Sequence, residues 1–192
     1  MRRGGSGETV MDLWVLPTEA VLCGETFPHK SDYRQMLKLM AVLSDEGRPV
    51  HLRWLTALHY FYEKPIPQPV EEAAMAYLSD FLSCGETGTP GPKLLDWQTD
   101  APEIIADINA VAGREVRSEP YLHWWSFLSF FHGIKDGRLS ALVTIRDKLR
   151  RGKKLEPHEQ EFYIRNKEKI RLRPAESPED IAHRKQLEAL LR

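Results

Sequence analysis

The chain has 192 residues, 42% of them hydrophobic, and carries 27 Lys plus Arg against 28 Asp plus Glu. That is apolar material for a packed core, in one domain or two small ones, and it excludes a disordered chain. A net charge of −1 excludes a protein drawn to nucleic acid or acidic lipid by its overall field. The charge is nonetheless lopsided: residues 1–134 hold 11 basic and 18 acidic side chains, residues 135–173 hold 13 basic and 6 acidic. Two cysteines, Cys23 and Cys84, are too few for a disulfide framework and lack a CxxC zinc spacing, which suits a reducing cytoplasm. No run approaches the ~20 apolar residues of a membrane span.

In chain order, residues 1–9 are polar and glycine-rich and read as a flexible start without a signal peptide. Leu13-Trp14-Val15-Leu16 and Ala20 to Phe27 are β-prone runs with Gly24-Glu25 as a turn, which predicts a hairpin between Val21 and His29. Ser31-Asp32 offers an N-cap to a helix striped by Tyr33, Met36, Leu37, Leu39, Met40 and Leu43. A second helix over 50–62 carries Leu52, Leu55, Leu58 and Phe61-Tyr62 and is ended by Pro65, Pro67 and Pro69. Glu71 to Leu82 is the third, with Ala74, Tyr77, Leu78 and Phe81 inward. Residues 83–92 form the clearest loop. Asp96 to Gly113 resumes as helix, with Asp100 as its cap and Ile104, Ile105, Ile108 and Val111 as its stripe.

The stretch from Tyr121 to Gly133 places six aromatics in eleven residues and is the expected centre of the fold, with Trp124, Trp125 and Phe127 as its aromatic core. A basic arm follows over 138–173: an amphipathic helix on Leu139, Leu142, Val143, Ile145 and Leu149, a stop at Gly152, and another helix opened by Glu156-Pro157 and running through Phe162 and Tyr163. Beyond Pro174, residues 174–192 read as a thin-striped helix on Ile181, Leu187, Leu190 and Leu191, loosely docked or paired with a partner. The fold class is therefore mainly α: a compact multi-helix domain over 10–173 with a short N-terminal β-hairpin, and with no internal repeat.

Little in this pattern suggests chemistry. The seven histidines form neither HxxxH nor HExxH, the glycines form no phosphate loop, and no GxSxG elbow is present. Paired carboxylates such as Glu71-Glu72 lie among solvating charges. The reading is a protein without catalytic residues, metal or cofactor. The arm is the electrostatic exception: Arg150, Arg151, Lys153 and Lys154 form a cluster able to meet phosphates or an acidic protein surface, including another copy of the chain. Interleaved glutamates argue against nucleic acid.

Three segments in a fixed order carry a resemblance: Glu19 to Phe27 followed by Ser31-Asp32-Tyr33-Arg34, then Tyr121-Leu122-His123-Trp124-Trp125-Ser126-Phe127-Leu128, then Leu142-Val143-Thr144-Ile145-Arg146 through Lys167 to Leu172. Over about residues 12–173 the chain resembles the gene-product-fifteen family of siphophage tail-module proteins. That resemblance implies a small helical, non-enzymatic tail assembly chaperone in the bacterial cytoplasm, with a tape measure or tail tube protein as partner. It carries over Trp124, Trp125 and Phe127 as aromatic core and Arg146 as the arm arginine, expected to bind a partner together with Arg150, Arg151, Lys153 and Lys154. A structural component of the tail or connector, and a nucleic-acid-binding protein using the arm, are the alternatives.

Overall fold

The computed structural model describes residues 12, 14–86 and 91–172. The expectations for residues 1–9, for the loop's residues 87–90, for Arg173 and for the helix after Pro174 lie outside them. Among the described residues the fold is mainly α, with one two-stranded antiparallel hairpin near the front. Where the sequence suggests one domain over 10–173, the chain divides into two compact units.

The first unit takes the chain to Ser44, Val50 to Gly88, and His123–Trp125. Its hairpin pairs β1 (Glu19–Leu22) with β2 (Glu25–Pro28) in the register Glu19↔Pro28 to Leu22↔Glu25, two residues earlier than the sequence suggests. The two-residue turn needs left-handed backbone at both positions, and Cys23 and Gly24 supply it at φ 50° and 87°. The same tetrapeptide, Cys-Gly-Glu-Thr, recurs at 84–87, and there too Cys84 and Gly85 are left-handed, at φ 54° and 72°. This short recurrence escapes a search for repeats of domain-building length. The run at Trp14 to Leu16 is no strand but an exposed bend, because it has no neighbouring strand to pair with; Trp14 is 97% exposed.

Three helices build the rest of this unit: α1 (Tyr33–Leu43), capped by the Asp32 carboxylate accepting from Arg34 N, α2 (Val50–Phe61) and α3 (Glu71–Leu82). Buried Tyr33, Met36 and Leu39 on α1, Ala57, Leu58 and Phe61 on α2, and Ala74, Tyr77, Leu78 and Phe81 on α3 form the core. Leu52 and Leu55 are exposed on α2. At the centre lies His29, stacked on Phe61 with ring centroids 4.4 Å apart. Its Nδ1 donates to Lys30 O at 3.0 Å and its Nε2 meets the Tyr77 hydroxyl at 3.0 Å, while that hydroxyl donates to Glu19 O at 3.0 Å. Both ends of this chain are carbonyls, which only accept, so a neutral ring and one hydroxyl provide two protons for three hydrogen bonds. A proton on His29 would complete the chain, yet burial dominates and pushes its pKa down to about 4.

The second unit takes Asp45–Pro49, Thr89–Leu122 and the chain from Ser126 onward. α5 (Trp124–His132) begins three residues later than the aromatic run, leaving Tyr121 half-exposed. Its first two residues belong to the first unit and the remainder to the second. In the second unit Phe127 is fully buried beside Trp97, with centroids 6.2 Å apart. α4 (Ala101–Ala112) buries Ile104 and Ile108, whereas Val111 is exposed. α6 (Arg138–Arg150), α7 (Pro157–Arg165) and the short α8 (Lys167–Ile170) share a cluster of Leu142, Ile145 and Ile170, with Leu155, Phe162 and Tyr163 packed against it.

The start of α6 has an unusual cap. Gly137 precedes it and has no side chain to offer, so Asp107 on α4 reaches across and accepts from Leu139 N at 3.0 Å. A Cβ on residue 137 would overlap that carboxylate. Gly137→Ala is therefore expected to expel Asp107 and expose an orphan helix amide, lowering stability by about 1–3 kcal/mol. Urea denaturation of this variant and of Asp107→Ala/Gly137→Ala checks it: the second alanine should cost much less once Asp107 is gone.

Candidate protein-binding surface

The arm holds one buried cation among exposed ones, a difference the sequence does not show. Arg146 lies one turn beyond Leu142 and two beyond Leu139, on the buried face of α6, and is itself 5% exposed. Its guanidinium is bidentate to Asp100, Nη1 to Oδ2 at 2.6 Å and Nη2 to Oδ1 at 2.8 Å. Nη1 also donates to Leu94 O, Nη2 to Lys169 O and Nε to Ile170 O, so all five donors of the fork are engaged. Arg146 is thus a clasp within the second unit and not a group that faces a partner, which corrects the expectation drawn from the arm. Asp100 is corrected with it: its side chain makes no cap for α4, and instead takes Arg146 and Asp96 N.

Two more arm lysines are drawn into ion pairs. Lys148 reaches both oxygens of Glu159 at 2.6 and 2.7 Å, and that lysine helps hold the Glu159 carboxyl below its usual range. Glu159 also closes a capping box with Glu156 at the start of α7. Lys169 pairs with the buried Glu103 at 2.5 Å, while the other Glu103 oxygen has no hydrogen-bond partner.

Arg150, Arg151, Lys153 and Lys154 lie together at one helix end, and all four are exposed. They ring the end of α6, where Gly152 turns the chain at φ 64° and Lys153 N returns to Lys148 O at 2.8 Å. This is a glycine-terminated helix end with cations at the negative pole of the helix dipole. Asp147 lies between the two arginines, accepting from Arg150 at 3.0 Å and Arg151 at 2.8 Å. Four cations and one carboxylate leave the knuckle strongly positive, and its backbone is fixed by the helix terminus. Leu149 beside it is 42% exposed.

Elsewhere the second unit has a cavity of about 370 Å³ between the first turns of α6 and α7, lined by Ser140, Thr144, Ile145, His158 and Phe162 among others. Cys23 is exposed at the hairpin tip, and burial pushes the Cys84 thiol up from its ordinary value, the reverse of an activated nucleophile. Among the described residues no three His, Cys, Asp or Glu side chains converge as metal ligands, and no helix is long and apolar enough to cross a membrane.

The chain matches no family model, no curated protein and no solved structure. Buried Arg146 had one signal in the sequence: a charge seven residues after Leu139 and four after Leu142 sits on the apolar face of the helix, where it requires a buried counter-charge. Nothing in the spacing singles out Asp100 as that partner, 46 residues away.

Proposed function

We propose that this chain is a non-enzymatic assembly factor that binds another protein through the knuckle of Arg150, Arg151, Lys153 and Lys154, acting as a tail assembly chaperone on a phage tape measure protein in the host cytoplasm. The observation that carries the reading is the sorting of the arm's charges. Arg146 is buried and Lys148 half-buried in its pair with Glu159, whereas Arg150, Arg151, Lys153 and Lys154 stand exposed together on one fixed turn next to an exposed leucine, with Asp147 the carboxylate among them. A positive rim beside apolar surface suits an acidic, amphipathic helical partner. The resemblance to the gene-product-fifteen family supplies the identity of that partner.

Reversing the four cations to glutamate is expected to abolish co-purification with a tape measure fragment while leaving the far-UV spectrum intact, because none of the four is buried, with a melting loss confined to the lost Asp147 pairs and the unfavourable dipole at the end of α6. Labelled duplex and single-stranded DNA titrated at two salt concentrations provide the competing arm. A nucleic-acid protein would bind with a Kd of about 10⁻⁴–10⁻⁶ M and weaken steeply with salt. Binding of that kind, lost in the reversed variant, would replace the proposal; retained capture of the fragment by the variant would remove the knuckle from it.

A further inference from the structure

His123 occupies the N-cap position of α5 with both ring nitrogens committed. Its Nδ1 lies 3.1 Å from Trp125 N, which only donates, and its Nε2 lies 2.9 Å from Pro17 O, which only accepts. These partners fix the neutral tautomer, with the proton on Nε2 and the lone pair of Nδ1 capping the helix. The ring is 2% exposed and makes an edge contact with Phe81, centroids 5.7 Å apart. Alongside, Trp124 N donates to Ser31 O at 2.7 Å, and residue 123 bridges Asp32.

We propose that His123 is a proton-operated latch: neutral, it holds Pro17 and the approach to the hairpin on the first turn of α5, and protonation releases both. A proton can enter only at Nδ1, where it turns an acceptor into a donor facing the Trp125 amide. The ring must then rotate, and rotation also breaks the bond to Pro17 O. What is freed is the segment that carries exposed Trp14, Val15 and Leu16.

The surrounding charges favour this response. Asp32, the carboxylate closest in the chain pairing, is held by Arg34 at 3.0 Å. On the hairpin side the facing titratable group is His29, whose charge and that of His123 oppose each other; from α2 and α3 the titratable groups about His29 are Tyr62 and Tyr77, both pushed up by burial. Burial lowers the His123 pKa below its ordinary 6.5, with the Pro17 bond opposing the shift. The unfolded or released ring therefore binds more protons than the latched one. The latch is complete above pH 6.5 and is lost as pH falls from there through the folded value.

The test is amide hydrogen exchange of the full chain from pH 7.5 downward, corrected for intrinsic exchange, with imidazole nitrogen shifts read in parallel. Protection of the Trp125 amide, which His123 Nδ1 accepts from, should fall about tenfold per pH unit within the window. His123→Asn, whose side-chain oxygen caps without titrating, should keep that protection flat over the same range. A variant that opens along with the parent, or a parent flat through the window, overturns the proposal. If the variant fails to fold, the parent's spectra decide: an Nδ1-protonated ring at pH 7.5, or titration at or above 6.5, refutes the latch, and an Nε2-protonated ring titrating lower while the Trp125 amide opens supports it.

Discussion

Arg146→Ala is expected to cost about 3–5 kcal/mol, the range for removing one partner of a buried pair, which is a large share of the ~5–15 kcal/mol that holds a typical domain folded. The loss is not that of one favourable contact. Asp100 is 1% exposed and would remain as a buried carboxylate with Asp96 N as its hydrogen bond, and the carbonyls of Leu94, Lys169 and Ile170 would lose donors together. Lysine should rescue poorly, since an ammonium cannot reproduce the planar fork that meets Asp100 on one edge and three carbonyls on the others. The double variant Arg146→Met/Asp100→Leu discriminates: with both charges gone it should be clearly more stable than Arg146→Ala, because apolar replacements of buried pairs are often neutral. Guanidinium titration of the set is the measurement. A loss below about 1 kcal/mol for Arg146→Ala, the level of an exposed salt bridge, would mean that the clasp is not formed.

The contrast between this clasp and the knuckle shows where the sequence stops informing. Helical period and caps place α3 over its full length and put the Asp32 cap and the Gly152 stop correctly, because each depends on residues within one turn. The apolar stripe of α6 is right at Leu139, Leu142 and Ile145 for the same reason. Local pattern fails where the deciding partner is distant. Asp100 has the sequence context of a helix cap, and its recruitment by Arg146 depends on α4 lying against α6. Gly137 looks like an ordinary breaker until Asp107 is seen in the space its side chain would fill. The exposed Leu52 and Leu55 have the same origin: the period is right, but which face of α2 is covered depends on α1 and α3. For the surface, charge composition identifies Arg150, Arg151, Lys153 and Lys154, while only the packing shows that Arg146 is buried and does not belong with them.

Trp124→Ala and Trp125→Ala test the centre of the first unit and are each expected to cost about 3–5 kcal/mol, the usual range for large aromatic truncations in a core. Trp124 is 1% exposed and Trp125 3%, so neither site can refill with water without disturbing its neighbours. Each indole also carries a specific bond: Trp124 Nε1 donates to Leu82 O at 3.0 Å and Trp125 Nε1 to Phe81 O at 2.9 Å. Both are carbonyls in the last turn of α3, beyond the reach of the regular helix ladder, and Phe81 O otherwise takes only turn amides, Cys84 N at 3.3 Å among them. The two tryptophans therefore act as the C-terminal cap of α3 as well as filling volume beside it, and Trp125→Phe separates the roles. It keeps most of the ring area but removes the indole donor and leaves the Phe81 carbonyl to its turn amides, for an expected loss of about 1 kcal/mol. With about 2–4 °C of melting temperature per kcal/mol for a chain of this size, the alanine variants should melt on the order of 10 °C lower and Trp125→Phe by a smaller, measurable step. Thermal scans of all three against the parent check the order. If the alanine variants melt with the parent and lose capture of the tape measure fragment instead, the aromatic helix serves binding and the packing described here is not what holds the unit together.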